Sequence, residues 1–267
     1  MLARCMSDPG SVPSGRGYIP LALRPRVAES IRLRGARPVI GDFVRWGSEM
    51  LIGLPWTVPG THGAFTFGER SYRYRFHPYK RSWLTERAVE VPLAQAVVDQ
   101  YAGQRILEIG NVLSHYAPQS HTIVDKYEEQ SGVLNLDVFD LDQLGQFDLV
   151  VVVSTIEHVG RDEEPQDPTL AVKALHALEG LVAPGGRLLL TVPIGYHYGL
   201  DASLRAGGFP FTRTSALRRT GVTRWEEVSP ETVWDRPYDF LLYAARAVFI
   251  GEYERPGAEA QPDTLVS

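Results

Sequence analysis

Cysteine and lysine are nearly absent from this chain of 267 residues. The single cysteine, Cys5, excludes an internal disulfide and any cysteine-cluster zinc site. Lysine occurs only at positions 80, 126 and 173, so 24 of the 27 basic residues are arginine, a bias that a GC-rich coding sequence produces by itself. Long apolar runs are also missing. The longest aliphatic stretch, 149–153, falls far short of the roughly 20 residues of a membrane helix. Residues 1–11 contain no apolar signal-peptide core. The net charge is −5, which weighs against nucleic acid as a partner. Together these absences predict a cytoplasmic protein with no membrane segment.

What is present suits a folded domain. Apolar residues make up 44% of the chain and charged residues 22%. That is enough for one large α/β domain with a proper core, and short for two. Residues 1–17, rich in Gly, Pro and Ser, read as a mobile tail. Residues 18–85 read as an N-terminal accessory segment. Its basic stretch holds Arg24, Arg26, Arg32, Arg34, Arg37 and Arg45, with a short helix over 27–33 and Pro38 ending the region. This is either a solvated helix or a surface for an anionic partner. Then Phe65, Phe67, Tyr72, Tyr74 and Phe76 alternate at period two about a turn at 68–71, which predicts a hairpin. Its aromatics either join the core or form a lid over a pocket. His77, Tyr79 and Trp83 follow, placed to close a site from above.

From 86 to 267 the pattern is regular. A helix opens near Thr85, with Pro92 in its first turn, where the missing N–H costs nothing. Leu93, Val97, Val98 and Tyr101 form its apolar face and Gly103 stops it. Strands are predicted at 105–109, 121–124, 132–136, 147–153 and 187–192, with a helix over 169–182. The fully apolar run 147–153 demands burial on both faces and hence a central parallel position. Pro184, Gly185 and Gly186 mark a tight turn. Two late strands, 225–228 and 245–252, suggest an antiparallel edge. Arg213, Arg218, Arg219 and Arg224 read as a solvated helix face or an anion contact. The sum is a Rossmann-like, doubly wound α/β fold: a seven-stranded sheet, mostly parallel with an antiparallel edge strand.

The chemistry-bearing residues cluster at strand ends. Glu108 closes the first strand and Gly110 follows it, which lets backbone approach a ligand at the sheet's carboxyl edge. Seventeen residues after Glu108, Asp125 ends the second strand, where a carboxylate can accept the hydroxyls of an adenosine ribose. Asp137 ends the third, positioned for an adenine amine. Ser154, Thr155, Ile156, Glu157 and His158 follow the fourth. His158 has a pKa near neutrality and is the natural general base, with Glu157 either fixing its tautomer or meeting substrate. After the fifth strand, the Gly-flanked loop 193–201 offers Tyr196, His197 and Asp201 as an acceptor pocket. The alternative is that its tyrosines pack on the core.

These ordered motifs, Glu108-Ile109-Gly110, Asp125, Asp137, the 147–150 strand with Ser154 and Glu157-His158-Val159, and 181–186, resemble class I S-adenosylmethionine-dependent methyltransferases over residues 86–252. The strings 108–116, 124–128 and 86–92 are similar to a bacterial subgroup found near glycan and natural-product genes. The resemblance implies S-adenosyl-L-methionine as cofactor. Glu108 and Gly110 would meet its amino-acid part, Asp125 its ribose, and Asp137 with Val138 its adenine, while Asn111, Lys126 and Ser154 complete the cofactor set. One departure stands out. Asn111, Val112 and Leu113 occupy positions where further glycines are common, so the loop must pass the cofactor by another backbone route, with Asn111 able to visit left-handed φ more readily than most residues. The missing Gly-x-Gly-x-x-Gly also disfavours a nicotinamide enzyme.

The function this implies is methyl transfer to an O or N atom of a small-molecule acceptor, with direct displacement and substrate choice in 18–85. Possible homo-oligomers are compatible with it. The alternatives are a catalytically idle partner or scaffold on the same fold, and an RNA methyltransferase using the basic N-terminal region. Some relatives bind Mg²⁺ through a Glu-His pair, and Glu157, His158 and His197 are the matching trio here. Two imidazoles and one carboxylate suit zinc or iron better, and Ser154 replaces a further carboxylate, so no metal is assigned.

Overall fold

The computed structural model describes residues 27–28, 31–32, 35–53, 63–163, 165–221, 223–240 and 242–257. The expected tail at 1–17 and Arg24, Arg26 and Arg34 lie outside the described residues. Helix α1 (Ala36–Gly53) contains Pro38 in its first turn, so Pro38 begins a helix rather than ending one. Strands β1 (Ala64–Phe67) and β2 (Arg70–Arg73) pair through a two-residue turn, with Phe65 opposite Tyr72. Phe65, Phe67, Tyr74 and Phe76 are all buried, and Tyr74 stacks on both Phe65 and Phe76. The hairpin therefore belongs to the core and is not a lid.

Helix α2 (Arg87–Gln100) begins five residues before Pro92, which places the proline in its interior and not in the first turn as expected. Proline there leaves the Ala88 carbonyl without its helical donor. The Arg75 N–H, arriving from the hairpin, donates to that carbonyl at 2.9 Å. The interior proline is tolerated because a second segment completes the hydrogen bond, and this pins the hairpin to α2.

The main sheet comprises β3 (Ile106–Ile109), β4 (Thr122–Val124), β5 (Val133–Leu134), β6 (Phe147–Val153), β7 (Val182–Pro193), β8 (Arg213–Arg219), β9 (Trp225–Val228) and β10 (Ala247–Glu254). Their order is β5-β4-β3-β6-β7-β10-β8-β9. The first five are parallel, while β10 runs antiparallel to both β7 and β8, and β9 forms an antiparallel edge. Helices α3 (Leu170–Leu181) and α4 (Tyr198–Arg205) cover one face. Helix α2 and the hairpin cover the other. The central β6 is inaccessible at all five residues 149–153, as its continuous apolar run requires.

Two expectations are corrected. The sheet has eight strands rather than seven, because residues 213–219 form β8 and not a helix face. Ser215, Ala216 and Leu217 are buried there, and the arginines are paired. Arg218 bonds Glu226 across the β8–β9 ladder, Arg213 faces Glu227, and Arg219 donates to the Leu84 carbonyl. These three groups are paired within the fold, which removes them as a free anion site, while Arg224 is exposed between β8 and β9. The turn at 184–186 exists, but as an excursion within β7: the register with β6 jumps from Phe147–Val182 to Leu149–Arg187.

Phe249, on β10, is 1% exposed and is held by the rings of Phe211 and Trp234. Phe249→Ala should cost about 3–5 kcal/mol, read as a lowered denaturation midpoint with an unchanged slope.

Candidate functional site

In a doubly wound sheet, ligands bind beyond the carboxyl ends of the strands where the strand order reverses. Here the reversal falls between β3, whose neighbours run outward to β5, and β6, which leads to β7. The loops after β3, β4, β6 and β7 carry every site residue expected from the sequence except Glu108, on β3, Asp201, in the first turn of α4, and Asp137 and Val138, which follow β5.

The loop after β3 is held from within. Glu108 is fully buried. Its Oε1 accepts the N–H groups of Val112 and Leu113, and its Oε2 meets His121 Nε2 at 2.8 Å. Its carboxylate thus shapes the loop and does not face outward. Gly110 has φ +82°, and a Cβ there would lie 2.7 and 2.9 Å from Thr155 Cγ2 and Cβ. The glycine is required by its conformation and by the loop after β6. Asn111 has no left-handed φ; that conformation belongs to Gly110. Asn111 instead donates through its side chain to Gln130 Oε1, at 2.9 Å, and through its backbone to Asp125 Oδ2, at 3.1 Å.

Asp125 accepts two further backbone N–H groups at Oδ1, from Tyr127 at 2.9 Å and Glu128 at 2.8 Å. A carboxylate has about four acceptor positions, so one remains on Oδ2. Lys126 bridges Asp137 Oδ2, at 2.8 Å, and Glu163 Oε1, at 2.6 Å, and the Tyr127 hydroxyl also donates to Glu163. These hydrogen bonds hold the ammonium above, and the Asp137 carboxyl below, their ordinary pKa ranges, in Asp137 against the upward push of burial. Val138 packs against the apolar cluster under α3. Because Glu163 follows β6 while Lys126 follows β4, the bridge crosses the end of β3 and straps the crevice. Surface cavities of about 520 and 290 Å³ lie elsewhere, the first beside Glu227 on the β8–β9 edge and the second beside Arg105 at the amino ends of β3, β4 and β6.

The end of β6 carries a buried ionic group that sequence reasoning missed. Arg87 and Glu90 of α2 are 8% and 1% exposed. Arg87 donates to the carbonyls of Val153 and Ser154 and to Glu90 Oε2, while Ser154 Oγ donates to Glu90 Oε1. Burial raises the Glu90 pKa more than Arg87 lowers it. Ser154, expected to meet cofactor, is therefore turned inward, with φ +40°. Beyond it, Glu157 is 1% exposed and its Oε2 has no partner. Burial pushes its carboxyl to about 7, against the opposing effect of His158.

His158 is the exposed member of this group. Its Nδ1 lies 2.5 Å from Asp162 Oδ2, and the Tyr196 hydroxyl reaches both side chains at 3.0–3.1 Å. Assigned from these partners, the imidazole carries its proton on Nδ1 and leaves Nε2 available. Asp162, not Glu157, fixes the tautomer, since Glu157 Oε1 stands 3.7 Å from Nε2. Burial lowers the His158 pKa, but the Asp162 hydrogen bond and the nearby Glu157 outweigh it and the net shift is upward.

The loop after β7 divides between structure and site. His197 is 3% exposed and caps α4, its Nδ1 accepting the Leu200 N–H at 3.0 Å. Asp201 is buried, with Oδ2 accepting the Gly195 N–H at 2.8 Å and burial raising its pKa to about 6. Both hold the loop in place instead of lining a pocket. Glu157, His158 and His197 do not converge, and no three His, Cys, Asp or Glu residues among the described ones are placed to hold a metal ion. Tyr196 is buried within a ring cluster with Tyr238, Phe240 and Tyr243. Tyr79 stacks on His115 at 4.1 Å and His77 meets Tyr116, so this segment does lie over the loop after β3. Lys80 and Arg81 beside it hold φ of 46° and 48°, conformations that cost about 1–2 kcal/mol each. Asp162 and Glu163 were legible only as a carboxylate four or five residues past His158; the ring cluster at 238–243 had no sequence signal.

The sequence matches no protein-family model and no curated protein. Among solved structures the chain is similar to the N-methyltransferase NodS of Bradyrhizobium japonicum with S-adenosylhomocysteine, at 14% identity and TM-score 0.37, over 61% of this chain and 86% of that one. It is likewise similar to the 1,6-didemethyltoxoflavin N1-methyltransferase of Burkholderia thailandensis, at 14% identity and TM-score 0.37, over 72% and 98%. A third is an S-adenosylmethionine-dependent methyltransferase of Archaeoglobus fulgidus, at 14% identity and TM-score 0.38, over 61% and 91%.

Two outcomes are expected. Glu157 has a pKa raised in the fold from 4.5 to about 7, so the unfolded chain releases this proton first and stability falls as pH rises between those values. The raised His158 pKa acts in the same direction at higher pH. Glu157→Gln should flatten the pH dependence of the denaturation midpoint, removing a slope worth on the order of 3 kcal/mol. Gly110→Ala should destabilise by about 2 kcal/mol or more from φ strain and the Thr155 overlap, and Thr155→Ala in the same chain should recover only the part of the overlap made by Oγ1 and Cγ2, as read by thermal melting.

Proposed function

We propose that the chain is a class I S-adenosylmethionine-dependent methyltransferase that acts on an O or N atom of a small-molecule acceptor. The observation that carries this reading is the convergence of Gly110, Asp125 and the His158–Asp162 pair at one strand-order reversal. The donor is a cationic sulfonium with a ribose diol, which calls for hydrogen-bond acceptors and carboxylates at this edge. Asp125 retains one open position on Oδ2, and the carboxylates of Asp137 and Glu163 stand beside it on Lys126. The residues fit. Asp125 would hold the ribose and Asp137 with Val138 would border the adenine. Lys80, with no carboxylate partner among the described residues, would take the carboxylate of the amino-acid part.

When bound, the donor supplies an electrophilic methyl group, and the chain's own residues align the acceptor and remove its proton. His158 Nε2 is the base, because Asp162 holds the proton on Nδ1 and keeps the ring in place. The two carboxylates stabilise the protonated imidazole, so the base is fully neutral only above its ordinary pKa of 6.5. Tyr196 buttresses both groups. The Lys126–Glu163 bridge spans the crevice and has to part for entry of the donor. We further propose that the methyltransferase core spans 86–267 and that 18–85 contributes to acceptor choice. Support for the latter is the packing of His77 and Tyr79 on the loop after β3.

Titration calorimetry with S-adenosylhomocysteine tests the reading. The full chain should bind it, and Asp125→Ala should weaken binding by about 1.5–3 kcal/mol while still melting cooperatively. Absence of heat from the unaltered chain at high concentration would favour an idle scaffold on the same fold.

A further inference from the structure

Arg161 differs from the other arginines near the site. Arg87 donates to a carboxylate and two carbonyls, and Arg218 donates to Glu226. Arg161 has no hydrogen bond or ion pair to its guanidinium among the described residues. Its backbone alone is engaged, donating to the His158 carbonyl and accepting from Gln166. The neighbouring Asp162 is committed to His158 and Tyr196. What holds the guanidinium is aromatic: its carbon lies 4.5 Å from the Tyr196 ring centroid and 5.0 Å from that of Phe240.

Stacking fixes the guanidinium plane and one face, and leaves the N–H edge free. A half-buried, pre-oriented fork of this kind matches the two oxygens of a carboxylate, and its attraction exceeds that of a fully solvated pair. The His158 ring lies 4.9 Å from the same Tyr196 centroid, so base and guanidinium stand within about 10 Å of one another. Tyr243 joins the ring cluster, is 41% exposed and has φ +52°, so an open aromatic surface adjoins the cation. Strained conformations of this kind collect at ligand sites.

We infer that Arg161 is an anion-recognition residue that selects an acceptor bearing a carboxylate on a ring-sized apolar body, with the methylated O or N at the far end against His158. The carboxylate pairs with the Arg161 fork. The ring lies along Phe240 and Tyr243, and a separation within about 10 Å between guanidinium and imidazole lets the opposite substituent reach His158. This assignment rests on the methyltransferase reading of the same site, and it locates acceptor choice partly in the loop after β6 instead of wholly in residues 18–85.

The test is a comparison of two probes of equal shape, 4-hydroxybenzoate and 4-hydroxybenzamide, titrated into the full chain by ligand-observed NMR with and without S-adenosylhomocysteine. The carboxylate should bind at least tenfold more tightly than the amide. Arg161→Gln should abolish that preference, Arg161→Lys should keep part of it, and both variants should bind S-adenosylhomocysteine within twofold of the unaltered chain. Equal binding of the two probes, binding of neither, or a preference that survives Arg161→Gln overturns the assignment. Calorimetry with S-adenosylhomocysteine on the same samples separates the two readings. A chain that ignores it but still prefers the carboxylate through Arg161 has an anion site without the donor site.

Discussion

A guanidinium withdrawn from water must find acceptors within the protein, and Arg87 finds them at the end of the central strand. Its donors meet the last carbonyl of β6, the carbonyl of Ser154 and the carboxylate of Glu90. A buried charge of this kind is tolerable only when paired, because desolvation is otherwise several kcal/mol. The pairing joins α2 to the strand end and holds Ser154 at a positive φ. From that bend the chain enters the turn that presents Glu157 and His158. Thr155, on the same bend, fills the space that the missing side chain of Gly110 leaves. The loops after β3 and β6 are thus interlocked, and the crevice between them has one shape.

The electrostatics of the site follow from depth. Glu157 is buried and retains its proton to about 7, whereas His158, with the opposite sign and partial exposure, is drawn upward by two carboxylates. Nearer the surface, Lys126 settles between Asp137 and Glu163. The carboxylates of Asp125, Asp137 and Glu163 thus stand at the crevice, while the buried Arg87 sits below it. In the proposed function a cationic donor would suit those carboxylates, and the Arg161 guanidinium, with no hydrogen bond or ion pair among the described residues, would stand on the acceptor side.

Much of the scaffold was legible. The run 147–153 and the strand at 225–228 match β6 and β9 residue for residue, because continuous burial and short β-branched or aromatic segments leave few alternatives. The helix 169–182 is nearly α3, and the aromatic alternation at 65–76 is the hairpin. Residues 213–219 were misread. Four arginines over 213–224 look like a solvated helix face, but the acidic partners that make them a strand, Glu226 and Glu227, come from the neighbouring β9. Pro92 was misplaced for the same kind of reason, since the donor that permits it belongs to Arg75.

The sequence by itself determined which residues reach the carboxyl edge: Gly110, Asp125, Ser154, Glu157 and His158 follow directly from strand ends, and strand ends follow from local apolar pattern. Only the tertiary structure decided what each does there. Whether a carboxylate faces a ligand or serves its own loop depends on which N–H groups of other segments approach it. Glu108, His197 and Asp201 were drawn into the framework in this way, Ser154 was turned toward Glu90, and Asp162 and Arg161 acquired the partners, or the lack of them, that give them a role. Hydrogen-bond partnership between distant segments has no period and no spacing, and so it is written in the fold alone.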